Sequence, residues 1–121
     1  MKTVNVCAVL MMFIIGLLLQ SPIHLRAQQE PKVVEIAAKR FAFTPNELTL
    51  KKGETVRLKI TSDDVTHGLY LKPLKIDADI QPGKTTEVTV TPQTAGRFTA
   101  ICDHFCGVNH GNMKMTFVVE E

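Results

Sequence analysis

Residues 102–113, reading C-D-H-F-C-G-V-N-H-G-N-M, concentrate side chains that bind metal ions. Two thiols, an imidazole and a thioether follow one another at steps of four, four and three residues, at Cys102, Cys106, His110 and Met113. Thiolate sulfur and imidazole nitrogen are common protein ligands for transition metals. The residue types and their spacing therefore predict a metal-binding loop.

Copper is the metal that this set of donors favours. Beyond residue 27, every cysteine and histidine of the chain lies in the loop except His67, which is followed by Gly68. Soft thiolates and imidazoles suit copper, and a Met is a typical weak axial ligand. We therefore predict His67 as a further ligand, since a neighbouring glycine lets the backbone approach closely. A disulfide between Cys102 and Cys106 is the alternative, but it would explain neither the nearby imidazole nor the thioether.

The rest of the chain has the two-residue period of β-strands. Val56, Leu58 and Ile60 alternate with polar residues, as expected for strands with one buried face. Turn-forming residues separate this run from the others. About seven short strands, and no convincing helix, predict an all-β fold, an antiparallel β-sandwich. The other alternating runs are Leu48 and Leu50; Leu69 and Leu71; Ile76, Ala78 and Ile80; Val88 and Val90; and Met115, Phe117 and Val119.

The metal-binding residues are predicted to lie in a loop rather than in a helix. Gly107 and Gly111 fall within five residues of each other, and glycine is costly in a helix interior. The run instead joins predicted strands at residues 97–101 and 114–119, which would fix both of its ends. His67 would come from the end of a neighbouring strand, and Asp64 is a candidate for orienting it.

The N-terminal residues predict export from the cytoplasm. An apolar run at residues 7–19 follows Lys2, and Ala27 suits a cleavage position. Residues 1–27 are therefore interpreted as a signal peptide or as an N-terminal membrane anchor, with membrane association through residues 4–19 in the second case. Either interpretation predicts a periplasmic or other extracytoplasmic domain. Residues 28–32 are predicted to be a short linker and residues 33–121 the folded domain.

Charge argues against nucleic acid as a partner. Without Lys2 and Arg26, the basic residues fall from 14 to 12 and balance the 12 acidic ones. No run of Lys or Arg is longer than two, whereas nucleic-acid-binding domains usually carry a basic patch. The remaining length suits a single domain.

The pattern C-x-x-x-C-G-x-x-H-x-x-M, preceded by Asp-x-x-His-Gly at residues 64–68, resembles the dinuclear copper A (CuA) domain of cytochrome oxidase subunit II. The similarity covers nearly the whole domain and is greatest to the short subunit II of ba3-type oxidases. It implies a cupredoxin fold, a Greek-key β-sandwich, holding two copper ions. By this resemblance Cys102 and Cys106 would bridge the ions and His67 and His110 would each bind one. Met113 and the backbone carbonyl of His104 would be weak ligands.

The resemblance implies electron transfer. The chain would receive electrons from a donor such as cytochrome c and pass them towards the catalytic subunit of an oxidase, and the chain alone shows no catalytic site. Phe105, Val108 and Met115 are expected to keep the copper site dry. The family usually has Glu or Gln at the position of His104. A backbone carbonyl is present whatever the side chain, so this difference does not affect the expected carbonyl ligand. Two alternatives remain open: a periplasmic copper chaperone or store, and a mononuclear blue-copper protein with one idle cysteine.

Overall fold

The computed structural model describes residues 28–121, which form nine β-strands and two short 3-10 helices. The predicted signal peptide or anchor at residues 1–27 lies outside the described residues. Among the residues described, none belongs to a helix long and apolar enough to cross a membrane. The strands are β1 (Lys32–Lys39), β2 (Ala42–Thr44), β3 (Glu47–Lys51), β4 (Val56–Ser62), β5 (His67–Leu71), β6 (Ile76–Ile80), β7 (Thr86–Val90), β8 (Gly96–Ile101) and β9 (Lys114–Glu120), and the 3-10 helices are Lys72–Leu74 and His110–Asn112.

The strands are arranged in two sheets. One has the order β2-β1-β4-β7 and the other the order β3-β9-β8-β5-β6. Strand β4 shows why the chain folds in this way, since Val56, Leu58 and Ile60 are buried while the residues between them are partly exposed. A period of two places such residues on one face of a strand, where they pack against the other sheet. The predicted all-β sandwich is therefore confirmed.

The predicted antiparallel pairing holds for most neighbouring strands but not for all. Strand β1 pairs with β4 in parallel, and β3 pairs with β9 in parallel. Between β1 and β4 the chain crosses to the second sheet at β3 and then returns, so β4 re-enters the first sheet in the direction of β1. Only directly connected hairpin strands must be antiparallel, and a crossover between sheets permits parallel neighbours.

Three strands of the second sheet position the predicted metal-binding residues. Strand β8 lies between β5 and β9 and is antiparallel to both. The end of β8 is therefore at the same edge of the sheet as the beginnings of β5 and β9. His67 opens β5, and residues 102–113 connect β8 to β9. The topology thus brings His67 to the loop across 35 residues of sequence.

Candidate metal centre

His67 is held inside the sandwich by the alternation of β5. Its side chain and that of Leu69, two residues further along, are fully buried, whereas Tyr70 on the opposite face is partly exposed. The His67 Nδ1 atom lies 4.0 Å from the Sγ atom of Cys102. The prediction that a distant strand end supplies this imidazole to the loop is therefore confirmed.

The loop closes on itself at its base. The Cys102 amide donates a hydrogen bond to the Met113 carbonyl (3.0 Å), which extends the β8–β9 pairing by one step. Further along, the amides of His110 and Met113 donate to the carbonyls of Gly107 and His110, respectively, forming the short 3-10 helix. These bonds fix the backbone at the start of the loop, at Cys102, and at its end, at Met113.

Each thiol has one imidazole and one weaker donor beside it. Cys102 Sγ lies 4.0 Å from His67 Nδ1 and 3.3 Å from the backbone oxygen of His104. Cys106 Sγ lies 3.7 Å from His110 Nδ1 and 3.8 Å from Met113 Sδ. The two sulfur atoms are 3.9 Å apart, and neither cysteine is in a disulfide. The structure therefore brings together all six groups that the sequence singled out.

Most of the donor set belongs to the hydrophobic core. Cys102, Cys106 and Met113 are part of the continuous buried cluster, with exposed fractions of 4% or less. His67 is the only buried polar side chain of the described residues, and His110 is half-buried. Donors in such a site are weakly screened by water, so a metal ion there would be held in a dry, low-dielectric environment on all but the His110 side.

Asp64 fixes the orientation of the His67 ring. Its Oδ1 atom accepts a hydrogen bond from His67 Nε2 at 2.7 Å and another from the Val65 amide. The Nδ1 lone pair of His67 is then directed to the thiols, which is the usual arrangement for a metal-binding histidine. The sequence prediction that Asp64 orients His67 is confirmed.

The same hydrogen bonds change the acidity of Asp64. Partial burial alone would raise the pKa of this carboxyl group. The Arg40 amide, the His67 ring and the Val65 amide all donate to the carboxylate, and together they hold its pKa well below the usual range. Asp64 is therefore ionised at neutral pH.

Cys106 is a weaker acid than an ordinary thiol. Burial is the main cause, and the adjacent Cys102 thiol adds to it, so that the pKa of Cys106 rises to about 11. The thiolate is the form that binds metal, so a metal ion must displace a proton from this residue. Metal binding at the centre is therefore expected to release protons.

Gly68 allows the loop to pass close to β5. A Cβ atom added here would lie 2.0 Å from the Asp103 Oδ1 atom and 3.0 Å from the His104 backbone nitrogen. The Gly68 amide also points at Cys102 Sγ, at 3.5 Å. The close approach predicted from the His-Gly pair is confirmed. The backbone that approaches Gly68 belongs to His104, whose carbonyl faces the Cys102 thiol.

Arg40 and Phe41, in the connection between β1 and β2, are contacts of the centre that the sequence reasoning missed. The Arg40 Nε atom donates to the Cys106 carbonyl at 2.6 Å. The Phe41 ring covers Gly107, where a Cβ would lie 2.9 Å from two ring carbons and where φ is +145°. The Arg40–Cys106 contact spans 66 residues, and no sequence pattern in the chain relates the two positions.

Two predicted members of the dry shell were assigned wrongly. Phe105 is 74% exposed and Val108 is fully exposed, because both lie on the outer turn of the loop. Phe105 instead flanks the imidazole of His110, with ring centroids 5.8 Å apart. Met115 is buried in the core, as its alternation in β9 predicted. The His104 side chain is exposed, and only its backbone oxygen faces the thiols.

The donor chemistry fits copper. Two thiols, two imidazoles and a thioether are soft or borderline ligands, whereas carboxylates favour harder ions, and the Asp64 carboxylate is bonded to the His67 ring. The three groups His67, Cys102 and Cys106 present donor atoms within 4.8 Å of one another, which is a separation that one or two ions can bridge. The structure therefore supports a copper site on geometric and chemical grounds.

Comparisons with known proteins agree with this fold and site. Residues 7–119 match the model of the cupredoxin-like domain. Cytochrome c oxidase subunit 2 of Thermus thermophilus is 35% identical over 88 residues, which cover 73% of this chain and 65% of that protein. Nitrous-oxide reductase of Cupriavidus necator is 33% identical over 91 residues, covering 72% of this chain and 14% of the enzyme. The resemblance to cytochrome oxidase subunit II is therefore confirmed, although the matched segment spans less than two thirds of either relative.

A solved structure shows the same fold. The periplasmic domain of cytochrome oxidase subunit II of Bradyrhizobium japonicum superimposes with a TM-score of 0.70, covering 77% of this chain and 86% of that domain. The two sequences are 19% identical, so this similarity concerns the fold alone.

Proposed function

The chain belongs to the cupredoxin-like domain family, and we propose that it holds a dinuclear copper centre and transfers single electrons, as or like subunit II of a cytochrome c oxidase. The ligands would be the thiolates of Cys102 and Cys106, the imidazoles of His67 and His110, the Met113 thioether and the backbone oxygen of His104. Relatives that are named cytochrome c oxidase subunit 2 support the assignment.

One observation supports this function above the others. The Sγ atoms of Cys102 and Cys106 are 3.9 Å apart and unbonded, and each has its own imidazole and its own weaker donor. A mononuclear blue-copper site uses one cysteine and would leave the second without a role. Two adjoining half-sites, each with a thiol, an imidazole and a weaker donor, suit two ions.

The surrounding protein suits electron transfer. Copper would supply one-electron redox chemistry, with one unpaired electron shared over both ions through the thiolates. The buried thiols, the ring of His67 fixed by Asp64 and the closed base of the loop would keep the ligands in place when the charge changes. Small ligand movements mean a small reorganisation energy and therefore fast transfer.

The same resemblance suggests the location and the partners. The domain would lie in the periplasm or on the outer face of the cytoplasmic membrane, exported by residues 1–27. It would accept electrons from a donor such as cytochrome c and pass them to the catalytic subunit of an oxidase. The half-buried His110, beside exposed Phe105, is the most exposed of the proposed ligand side chains and so the natural point of electron exchange.

Copper stoichiometry combined with electron paramagnetic resonance tests the proposal on residues 28–121, reconstituted with copper and oxidised. We expect two copper ions per chain and hyperfine splitting from two equivalent copper nuclei. One tightly bound ion with a blue-copper spectrum would contradict the dinuclear centre. Copper(I) that exchanges readily and forms no stable oxidised state would instead indicate a copper chaperone or store.

A further inference from the structure

Arg40 contacts the backbone of the metal-binding loop through its side chain. Its Nε–H group donates to the carbonyl of Cys106 at 2.6 Å, which is short for a hydrogen bond between nitrogen and oxygen. A positively charged donor such as the guanidinium group strengthens such a bond. The contact places a permanent positive charge beside one of the two thiols.

The main chain of Arg40 contacts the other half of the centre. Its amide donates to the Oδ2 atom of Asp64 at 2.8 Å, and the Oδ1 atom of the same carboxylate holds His67. One residue of the β1–β2 connection is thus bonded to both ligand-bearing segments, β5 through Asp64 and the loop through Cys106. The adjacent Phe41 ring covers Gly107 and limits movement of the loop on that side.

We propose that Arg40 is a positioning residue of the copper centre, which locks the Cys106 segment against the His67 segment and raises the reduction potential of the centre through its charge. The second effect rests on the proposed copper function, whereas the first is a property of the metal-free protein. A positive charge close to the site favours the reduced state, because that state carries less positive charge on the metal. The guanidinium is not one of the proposed ligands, so its loss would remove none of the groups that hold copper.

Two substitutions separate the hydrogen bond from the charge. Arg40→Gln removes the charge, whereas Arg40→Lys keeps the charge but loses the rigid Nε donor. Arg97→Gln is the matched control, since Arg97 is an exposed residue of β8 whose side chain pairs with Glu47 on the surface. All three variants change an arginine outside the set of ligands.

The first measurement uses metal-free protein and follows amide hydrogen exchange at His110, whose amide is bonded to the Gly107 carbonyl next to Cys106. We expect exchange to be about 10-fold faster or more in both Arg40 variants, since a charge-assisted hydrogen bond is lost. The control should exchange at the wild-type rate. Equal rates in Arg40→Gln and Arg97→Gln would overturn the positioning role, whatever the metal content.

The second measurement is the reduction potential of the copper-loaded proteins, together with their paramagnetic resonance spectra. Arg40→Gln should lower the potential while keeping two copper ions per chain, and Arg40→Lys should stay closer to the wild type. A potential of Arg40→Gln equal to that of Arg97→Gln would overturn the electrostatic role. If the wild-type protein itself gave no dinuclear spectrum, the proposed function would fail, and hydrogen exchange would still decide the positioning role of Arg40.

Discussion

At the scale of single residues, the carboxylate of Asp64 joins three groups beside the centre. It accepts hydrogen bonds from the Arg40 amide, the Val65 amide and the His67 ring. An amide in its place has one oxygen instead of two, so its NH₂ group would face at least one of these donors. A buried donor left without an acceptor is costly, and the ring of His67 would lose its fixed orientation.

We therefore expect Asp64→Asn to weaken copper binding by roughly 10- to 100-fold, as is typical for the partner of a metal-binding histidine. The neighbouring Asp63→Asn is the control, because Asp63 is exposed. Competition titrations with a copper chelator would measure both affinities. Equal losses in the two variants would show that the effect is one of overall charge rather than of the His67 contact.

Asp64 also predicts how the metal-free domain responds to acid. Hydrogen bonding depresses the pKa of this carboxyl in the folded state, so its contribution to stability is complete above 3.8, the ordinary value, and is lost as pH falls towards the lower folded value. The wild type should lose stability over this acidic range more steeply than Asp64→Asn. Denaturant unfolding at a series of pH values would measure the two slopes, and parallel slopes would contradict the assignment.

Cys106 makes a prediction at the alkaline end of the scale. Burial and the Cys102 thiol raise the pKa of Cys106 to about 11, and only the thiolate reacts with iodoacetamide. In metal-free protein the alkylation of Cys106, followed site by site with mass spectrometry, should therefore rise steeply only near pH 11. Cys102→Ser removes the neighbouring ionisable group and should move this rise to lower pH. A midpoint near 9 in the wild type would contradict the raised pKa.

At the scale of the elements, the close packing of β5 against the loop depends on Gly68. A methyl group at this position would collide with the Asp103 side chain and press on the His104 backbone nitrogen. Asp103 is exposed and can rotate away, whereas the backbone can only shift, and that shift would move the His104 carbonyl away from the Cys102 thiol. Overpacking of this kind typically costs about 1–3 kcal/mol.

We expect Gly68→Ala to lower the free energy of unfolding by about 1–3 kcal/mol. It should also alter the electron paramagnetic resonance spectrum of the copper-loaded protein. Gly111→Ala is the matched control, because a Cβ at Gly111 meets no atom within 4 Å. Chemical denaturation and electron paramagnetic resonance would measure the two effects. Indistinguishable results for the two variants would show that the loop tolerates displacement at its start.

The elements also show what the sequence could and could not predict. Strands such as β4 and β6 were predictable because a buried face alternates with an open one, at Val56–Ser62 and Ile76–Ile80. Strands β1 and β2 were missed, since β1 contains consecutive small residues at Ala37 and Ala38 and β2 has only three residues. Short or weakly alternating strands form only when the rest of the sheet provides their partners.

The candidate metal-binding side chains could be picked out from the sequence because their chemistry is rare in this chain and their spacing is local. The contacts that position these side chains were harder to predict from the sequence. Asp64 lies three residues before His67 and was found, whereas Arg40 reaches Cys106 across 66 residues and was not. The exposure of Phe105 and Val108 was also missed, because hydrophobicity alone does not tell which side of a loop faces solvent.

At the scale of the whole molecule, the centre lies at one end of a core that both sheets complete. Phe43 from the first sheet and Phe117 from the second are fully buried, and neither belongs to the ligand set. The hydrophobic burial that stabilises the sandwich therefore exists without metal. This differs from small zinc domains, which unfold when the metal is removed because they have little other core.

Removing copper from the domain should accordingly leave its fold intact and lower only its stability. For residues 28–121, circular dichroism should show the same β-sheet spectrum before and after treatment with a copper chelator and a thiol reductant. Loading should raise the midpoint of thermal unfolding, since a ligand present at 1,000 times its dissociation constant stabilises by about 4 kcal/mol. Cys102→Ser, which removes one thiol, should gain less from copper under the same conditions. A metal-free domain with the spectrum of an unfolded chain would contradict this view, because it would mean that the copper centre, and not the packing of two sheets, stabilises the sandwich.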